Sequence, residues 1–328
     1  MSAPQCPACG QNVVAAEPIQ RLNVAHQHAL VAPADEALQQ RLTAAAAEAA
    51  LDYAMLRCRH CGLEFSSPLR APSGDWYRLA YQALDLYPAQ RWEFDAVLRQ
   101  VRVGDALLEL GCGAGALLEK CRQRGLAAAG VDFSADAVRL CRERGLRACQ
   151  LDLAGAVETP GFERVAHIAG FHVLEHLDRP GALFQLARRH ALPAAHLWLS
   201  VPSERRPSRS FGQRDFLDEP PHHLTRWNPA SCAALGARHG WRLVQVLYEP
   251  MTLRVALWWI SVSSPAYARW KAARRFRNRW IERAFRAAFC PFAVLQRLTV
   301  RRHLSGHSML AHFVLEAGQP VAGGDGNS

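Results

Sequence analysis

From residue 105 onward, short apolar runs alternate with segments in which apolar residues recur every three or four positions. The runs are typical of buried strands, and the recurring pattern is typical of amphipathic helices. The predicted strands are 106–110, 127–132, 146–152, 164–173, 195–202, 241–250 and 308–317, and the predicted helices are 116–124, 135–144, 181–191 and 229–239. Because such alternation forms βαβ units, we expect an α/β fold with a doubly wound, seven-stranded sheet.

The segments outside this alternation suggest further parts. An Ala- and Gln-rich stretch, 35–51, predicts a helix, and the polar residues 203–225 predict a loop. The predicted parts are a small module over 1–70, a bridging helical segment over 71–103, the sheet domain over 104–318 with a helical cap inserted at 251–305, and a disordered tail over 319–328.

The composition is that of a protein with a sizeable core. The chain has 328 residues, of which 50% are hydrophobic and 21% charged, and a net charge of +10. Its start lacks the basic and apolar regions of a signal peptide, and apolar runs such as 255–260 are far shorter than the roughly 18 residues of a membrane span. We therefore expect a cytoplasmic protein whose ten cysteines are metal ligands or buried thiols.

A glycine turn, "ELGCGAG" at 109–115, joins the first strand of the sheet to a helix. Dinucleotide-binding folds use G-x-G-x-x-G here, but Ala116 stands where the third glycine of that fingerprint falls. Glu109 would repel a pyrophosphate, whereas it would stabilise the sulfonium and ammonium groups of S-adenosylmethionine. The turn therefore favours S-adenosylmethionine, with Glu109 and the glycines Gly111, Gly113 and Gly115 as cofactor-binding residues.

Polar residues also follow the next strands of the predicted sheet. Asp132 can accept the ribose hydroxyls, Phe133 can lie against the adenine, and Asp152 can accept the adenine amino group. The fourth strand ends in "FHVLEHLDRP" at 171–180. Because the carboxyl ends of parallel strands meet in one crevice, we expect these groups to surround a single ligand.

The ordered motifs "LLELGCGAG", "GVDFS", "LDL" and "FHVLEHL" resemble those of class I S-adenosylmethionine-dependent methyltransferases, which have a Rossmann-like sheet. The resemblance covers about 90–250 and the last strand, and it is nearest to the branch that includes quinone-biosynthesis and glycan-associated enzymes. It implies that the three glycines hold the methionine part and Asp132 the ribose. It also implies that Asp152 and Leu153 contact the adenine, and that Phe171 and His172 lie beside the methyl donor.

Two Cys-x-x-Cys pairs, each followed by glycine, lie in the first 70 residues. Cys6, Cys9, Cys58 and Cys61 offer the four thiolates of a tetrahedral structural zinc site. The region resembles a zinc ribbon and the zinc-binding N-terminal part of sugar C-methyltransferases. Four sulfur ligands leave no open position, so we expect Zn²⁺ to support folding.

Histidine is the natural base for taking a proton from a methyl acceptor near neutral pH. Candidates are His172 at a strand end and the pair His222 and His223 in "PPHHLTRW". His176 is a further candidate, which with Glu175 could instead orient the following turn. A structural role as a loop or helix cap is the alternative for His222 and His223, and the sequence leaves the choice of base open.

The predicted cap carries a wide apolar stripe flanked by arginines over 255–300. Its apolar face could pack on the domain's own core, or it could enter a membrane surface while the arginines meet anionic headgroups. An anionic substrate such as RNA or a nucleotide sugar is the third possible partner.

These features predict methyl transfer from S-adenosylmethionine to an oxygen of a small molecule or glycan, including a lipid-linked one, in the cytoplasm or at the inner membrane face. RNA methylation is the enzymatic alternative, suggested by zinc and positive charge. The sequence shows neither a recognisable RNA-binding fold nor an "NPPY" motif, so nucleic acid is not the expected partner. The non-enzymatic alternative is a zinc-dependent interaction protein with a vestigial cofactor pocket.

Overall fold

The structure is a computed structural model, and it describes residues 4–13, 20–23, 36–46, 52–84, 91–150, 164–210, 218–253, 256 and 304–317. The chain divides into two compact units, Met1–Pro202 with Asp215–Leu247 and Met309–Ser328, and Ser203–Arg214 with Tyr248–Ser308. Three predictions lie outside the described residues, namely the adenine contacts Asp152 and Leu153, the tail 319–328 and, except for Ala256, the cap contacts of 255–300. The division of the chain at residues 70 and 103 stays a prediction.

The secondary structure follows the predicted alternation. The strands are β1 (Gln20–Asn23), β2 (Asp52–Arg57), β3 (Glu64–Ser67), β4 (Ala106–Leu110), β5 (Ala127–Asp132), β6 (Ala148–Gln150), β7 (Val165–Phe171), β8 (Ala191–Pro202), β9 (Thr225–Arg226), β10 (Trp241–Tyr248) and β11 (Ser308–Leu315). The helices are α1 (Glu36–Ala46), α2 (Gly74–Leu84), α3 (Trp92–Leu98), α4 (Ala116–Gln123), α5 (Ala135–Glu143), α6 (Pro180–Arg189), α7 (Pro207–Ser210) and α8 (Pro229–Arg238), with a 3₁₀ turn at Leu174–His176. Among the described residues, none of these helices has the length and apolar character needed to span a membrane.

Seven strands form the main sheet in the order β10-β11-β8-β7-β4-β5-β6. The pairs β4–β5, β5–β6, β4–β7 and β7–β8 are parallel. This confirms the predicted seven-stranded, Rossmann-like sheet. The chain leaves β4 for one side and returns to the other side at β7, so the carboxyl ends of β4 and β7 mark the reversal where such sheets bind ligands.

Helix caps and apolar faces explain where the flanking helices begin and how they pack. The Ser134 hydroxyl accepts a hydrogen bond from the Ala137 N–H at the start of α5, and Asn228 with Ser231 forms a capping box at α8. Phe94 and Val97 of α3 are buried in the same hydrophobic cluster as Leu107 of β4. Burying such side chains contributes about 1.5–3 kcal/mol each, which fixes α3 on the sheet.

Strand β8 begins earlier than the sequence predicts. The predicted helix runs to residue 191 and the predicted strand starts at 195, whereas α6 ends at Arg189 and β8 starts at Ala191. Val165 pairs with Ala191 but His167 pairs with His196, so the strand contains an irregularity that takes up the extra residues. Pro193 breaks the strand pattern in this segment, and Ala194 there has a φ of 58°.

A second sheet contains four strands in the order β1-β2-β3-β9. Strands β1, β2 and β3 pair antiparallel within the first 70 residues, and β9 pairs antiparallel with β3 through Glu64↔Arg226 and Phe65↔Thr225. Residues 225–226 lie in and beside the stretch predicted as a polar loop. The prediction missed β9 because a two-residue strand has no periodicity of its own.

Hydrogen bonds from side chains reinforce this connection. The Asn228 amide donates to the Cys61 carbonyl at 3.2 Å, and Arg238 donates to the carbonyls of Pro7 and Ala8 at 3.2 and 3.1 Å. Arg226 forms an ion pair with the buried Glu64 at 3.2 Å. The two Cys-x-x-Cys turns and the strand that follows them are therefore attached directly to α8 and β9.

The second unit is held by its own polar contacts. The hydroxyls of Ser203 and Ser305 are 2.7 Å apart, and the Tyr248 hydroxyl donates to Glu204 at 2.7 Å. The Arg205 guanidinium lies 4.0 Å from the centre of the Tyr248 ring, which is cation–π geometry.

Three histidines lie side by side on β7, β8 and β11. The rings of His167 and His196 stack with centroids 5.1 Å apart, and His196 Nδ1 is 2.9 Å from His312 Nε2. Burial, together with His196 and His167, lowers the pKa of His312 to about 4. The folded protein therefore favours the neutral form of the His312 ring.

We predict that the free energy of unfolding falls as the pH drops from 6.5 towards about 4. In that range the unfolded chain binds a proton at His312 and the folded chain does not, so acid favours unfolding until both states are protonated. His312→Gln removes this titration and reduces the loss by on the order of 2 kcal/mol. Urea unfolding at a series of pH values measures it, with the exposed His307→Gln as the matched control. Equal pH slopes for both variants would contradict the prediction.

Candidate active site and metal centre

The turn after β4 holds its backbone in a conformation that requires glycine. Gly111 has a φ of +78°, and a Cβ there would lie 2.4 Å from Val173 Cγ2. The N–H groups of Gly111 and Cys112 both donate to the Val131 carbonyl, at 2.8 and 3.0 Å. The turn is thus tied to β5 and packed against the end of β7.

Asp132, at the end of β5, connects this turn to α5. Its Oδ2 accepts the Gly113 N–H at 2.8 Å, and its Oδ1 accepts the Ser134 N–H at 2.9 Å. Burial raises the pKa of Asp132, and these hydrogen bonds oppose part of that rise. Each oxygen can still accept a further hydrogen bond, so the carboxylate is suited to a ribose.

Glu109 lies in the sheet just before the turn and is almost completely buried. Its Oε2 is buried and has no hydrogen-bond partner among the described residues. Burial and the charge of Asp132 raise the pKa of Glu109, and Arg91 opposes that rise. A buried carboxylate oxygen without a partner is a site for a cation or a donor that is supplied from elsewhere.

The two predicted aromatic contacts differ in exposure. Phe133 is 43% exposed, and its ring lies 6.0 Å from that of Tyr77. Phe171 is buried and packs edge-on against Phe94 with centroids 5.1 Å apart. Phe133 is therefore available to a ligand, whereas the Phe171 side chain belongs to the core.

His172 sits at the end of β7 in an unusual backbone conformation. Its φ of 54° is rare for a residue with a side chain, and its N–H donates to the Ser200 carbonyl at 3.0 Å. The ring lies between two buried glutamates, with Nδ1 3.1 Å from Glu175 Oε1 and Nε2 3.3 Å from Glu93 Oε1.

These contacts decide the charge of His172. Burial acts to lower its pKa, but the hydrogen bonds with Glu175 and Glu93 outweigh burial and raise the pKa above its ordinary value. Burial acts to raise the pKa of Glu175, but the contact with His172 outweighs it and lowers that pKa to about 2. The protonated form of His172 is therefore favoured, which makes the ring a weaker proton acceptor than an ordinary histidine.

His176, His222 and His223 form a second group beside the same glutamate. His176 Nδ1 is 2.6 Å from the His222 carbonyl oxygen, and His223 Nδ1 is 3.3 Å from Asp218 Oδ1. Burial and the neighbouring His223 lower the pKa of His176 to about 4. The structure thus brings the three predicted bases into one histidine and carboxylate cluster together with His176.

Glu93 and Asp218 also belong to this cluster, although no sequence motif predicts them as site residues. Glu93 is buried on α3, four residues before the buried Val97, so a charged residue occupying the apolar face of a helix was the available signal. Asp218 lies four residues before His222 in a segment interpreted as a polar loop. Its burial follows from its ion pair with Arg226 of β9, which no local pattern indicates.

The four cysteines of the Cys-x-x-Cys pairs lie together. Cys6 Sγ is 3.6 Å from Cys61 Sγ, and Cys9 Sγ is 3.6 Å from Cys58 Sγ. A tetrahedral zinc with Zn–S bonds of about 2.3 Å places its sulfurs about 3.8 Å apart, whereas a disulfide needs about 2.05 Å. The cluster therefore fits a Zn²⁺ ion held by four thiolates.

The same turn geometry occurs at both pairs. The Gly10 N–H donates to the Cys6 carbonyl and the Gly62 N–H donates to the Cys58 carbonyl, both at 2.9 Å. The Cys6 and Cys61 thiols are buried, and burial raises the pKa of Cys61 to about 11. Such thiols are costly to ionise without a cation, which a bound metal ion supplies.

Comparison with known proteins finds a family model that matches the sheet domain. Residues 84–246 match the family model described as "Methyltransferase domain". No curated protein matches the chain significantly. A SAM-dependent methyltransferase from Archaeoglobus fulgidus is 15% identical over 74% of this chain and 100% of that chain, with a TM-score of 0.46.

Two further solved structures are similar at a comparable level. Magnesium protoporphyrin IX methyltransferase from Synechocystis PCC 6803, with bound SAH, is 12% identical over 72% of this chain and 88% of that chain, with a TM-score of 0.44. Coclaurine N-methyltransferase bound to N-methylheliamine and SAH is 15% identical over 67% of this chain and 71% of that chain, with a TM-score of 0.42.

We predict that Cys58→Ser lowers the zinc content of the purified protein by one ion per chain. The loss of a ligand also lowers the melting temperature, because zinc bound only to the folded state contributes its binding energy to folding. Elemental analysis and thermal unfolding, each with and without a chelator, measure both effects. Cys149→Ser, outside the cluster, is the control, and an unchanged zinc content in Cys58→Ser would refute the assignment.

Proposed function

We propose that this chain, in which residues 84–246 form a class I S-adenosylmethionine-dependent methyltransferase domain, transfers a methyl group to an oxygen of a small-molecule or glycan acceptor. The observation that carries the proposal is the buried Oε2 of Glu109 beside the glycine turn, which has no hydrogen-bond partner among the residues that the structure describes. A positively charged cofactor stabilises the ionised form of this carboxyl, whereas an anionic pyrophosphate would disfavour that form.

Different residues around the turn would bind different parts of the cofactor. Asp132 would accept the ribose hydroxyls, and the exposed Phe133 would lie against the adenine. The glycine at 111 lets the backbone approach the methionine part without a side chain in the way. When bound, S-adenosylmethionine supplies a methyl group on a sulfonium, and the protein positions an acceptor in line with it.

The histidine and carboxylate cluster supports proton removal from the acceptor. His172 is bonded to Glu175 and Glu93, so its role in our proposal is to hold the buried glutamates and the end of β7 in place. His222 and His223 would act on the acceptor's proton, either as bases or as ligands of an ion that lowers the acceptor's pKa. Oxygen is our choice of acceptor atom because hydroxyl groups need such assistance.

We assign the four-cysteine cluster a structural Zn²⁺, since four sulfurs leave no position for a substrate. The contacts of Asn228 and Arg238 with the two cysteine turns indicate what the ion would support, namely the position of α8 and of the loop that carries His222 and His223. A cytoplasmic location and contact of 255–300 with a membrane stay predictions.

The decisive experiment measures conversion of S-adenosylmethionine to S-adenosylhomocysteine by the full chain. Acceptors would be offered as fractions of small molecules, glycans, lipid-linked glycans and RNA. Turnover with one of the first three fractions supports the proposal. Turnover with RNA alone would establish the alternative substrate class, and cofactor binding without any turnover would indicate a non-enzymatic protein.

We predict that Asp132→Ala weakens S-adenosylmethionine binding by about 1–3 kcal/mol, because the ribose hydroxyls lose a buried partner. Calorimetric titration measures the affinity. Asp136→Ala is the matched control, since Asp136 lies on the exposed first turn of α5 and pairs with Arg139. Equal affinity for the Asp132 variant and the wild type would contradict our placement of the ribose.

We also predict that S-adenosylmethionine binding releases a proton from Glu109. Burial raises the pKa of this carboxyl in the free protein, and a bound cation lowers it again, so affinity rises with pH between the two pKa values. Titrations in two buffers of different ionisation enthalpy measure the released proton. Glu109→Gln should bind more weakly and release none. Proton release that persists in this variant would show that another group is responsible.

A further inference from the structure

Three imidazole rings converge where the turn after β7 meets the loop before β9. One ligand nitrogen from each of His176, His222 and His223 lies within 4.8 Å of the other two. The ring centroids of His176 are 4.8 Å from His222 and 4.7 Å from His223. We propose that these three histidines bind one divalent transition-metal ion, a second metal site distinct from the four cysteines.

The remaining nitrogens of two rings already have the partners that metal-bound histidines usually have. His176 Nδ1 meets the His222 carbonyl oxygen at 2.6 Å, and His223 Nδ1 meets the Asp218 carboxylate at 3.3 Å. Both acceptors are oxygens, so each Nδ1 carries the proton and each Nε2 presents a lone pair. A carbonyl or carboxylate behind the ring is the common outer partner of a histidine ligand.

Glu175 provides a carboxylate at the same place. Its Oε1 is 3.9 Å from His223 Nε2, and its Oε2 is buried with no hydrogen-bond partner in the described part of the chain. An ion bound by the three nitrogens would offset the cost of that buried oxygen. Three imidazoles with a nearby carboxylate suit Zn²⁺, Fe²⁺ or Ni²⁺ better than Mg²⁺ or Ca²⁺.

The histidines His167, His196 and His312 form a second group, but their ring nitrogens are not arranged to bind a common ion. On β7, β8 and β11, His196 Nδ1 and His312 Nε2 are 2.9 Å apart, so one nitrogen donates directly to the other. In the proposed site the Nδ1 atoms of His176 and His223 instead point to oxygens. In the part of the chain that the structure describes, only the four cysteines and these three histidines bring three or more ligand atoms together.

The position of the site suggests a role that rests on the proposed function. Glu175 connects the site to the end of β7, because its Oε1 lies 3.1 Å from His172 Nδ1 and 3.9 Å from His223 Nε2. Three protein ligands leave a position for an acceptor hydroxyl, whose pKa the ion lowers. The hydroxyl proton passes to solvent, the oxygen bonds to the methyl carbon, and the carbon–sulfur bond breaks to leave a neutral thioether.

Metal content of the purified full chain tests the site directly. After saturation with Zn²⁺ and removal of free metal, the wild type should hold two ions per chain. His176→Asn and His223→Asn should each hold one, and Cys58→Ser should lose the other ion. Asp218→Asn, which removes the carboxylate charge that faces both His223 Nδ1 and Arg226, should lower Zn²⁺ affinity at this site about 10- to 100-fold. His239→Asn is the matched control and should keep both ions.

X-ray absorption at the zinc edge tests the wild type without any substitution that could impair folding. Two ions give mixed nitrogen and sulfur scattering, whereas the cysteine site alone gives sulfur only. A single ion with sulfur ligands would overturn the proposal. Methyl turnover is measured separately: two ions and turnover that falls on loss of the histidine-bound ion support the full inference. Two ions with unchanged turnover would uphold the site and overturn its role in the reaction.

Discussion

The buried residue Glu175 connects the end of β7 with the loop before β9, two parts of the protein that are far apart in sequence. Its side chain receives the His172 ring at 3.1 Å, and its backbone carbonyl accepts the Leu224 N–H at 2.8 Å. A charged group at this depth is stable only when it is paired, so the end of β7 and the histidine loop must both be in place. The same requirement holds His172 at its unusual φ of 54°.

The loop that Glu175 holds also connects the two sheets. The Leu224 carbonyl accepts the Ser66 N–H at 2.8 Å, and Thr225 and Arg226 then pair with β3. The cysteine turns contact α8 immediately after this strand. A structural zinc ion would therefore influence the histidines through backbone hydrogen bonds and strand pairing, without contacting a substrate. Such a route would give a physical reason for the cysteine cluster and the methyltransferase domain to occur in one chain.

Two kinds of electrostatic environment occur at the end of the main sheet. Around Glu109 a buried carboxyl has a raised pKa, which suits a site that a cation fills later. Around Glu175 a buried carboxyl has a pKa lowered to about 2, because its hydrogen-bond partner His172 is part of the protein. The first environment belongs to the proposed cofactor site and the second to the proposed acceptor side.

Local sequence patterns were enough to predict the main sheet, because hydrophobic periodicity and glycine turns act over a few neighbouring residues. They also indicated Glu109, Asp132 and the four cysteines, whose spacing is local within each motif. The contact of His172 with Glu93 and the pairing of β9 with β3 emerged from the three-dimensional packing, since Glu93 lies 79 residues from His172 along the chain. Such contacts depend on how separate elements pack, and the residues adjacent in sequence do not determine that packing.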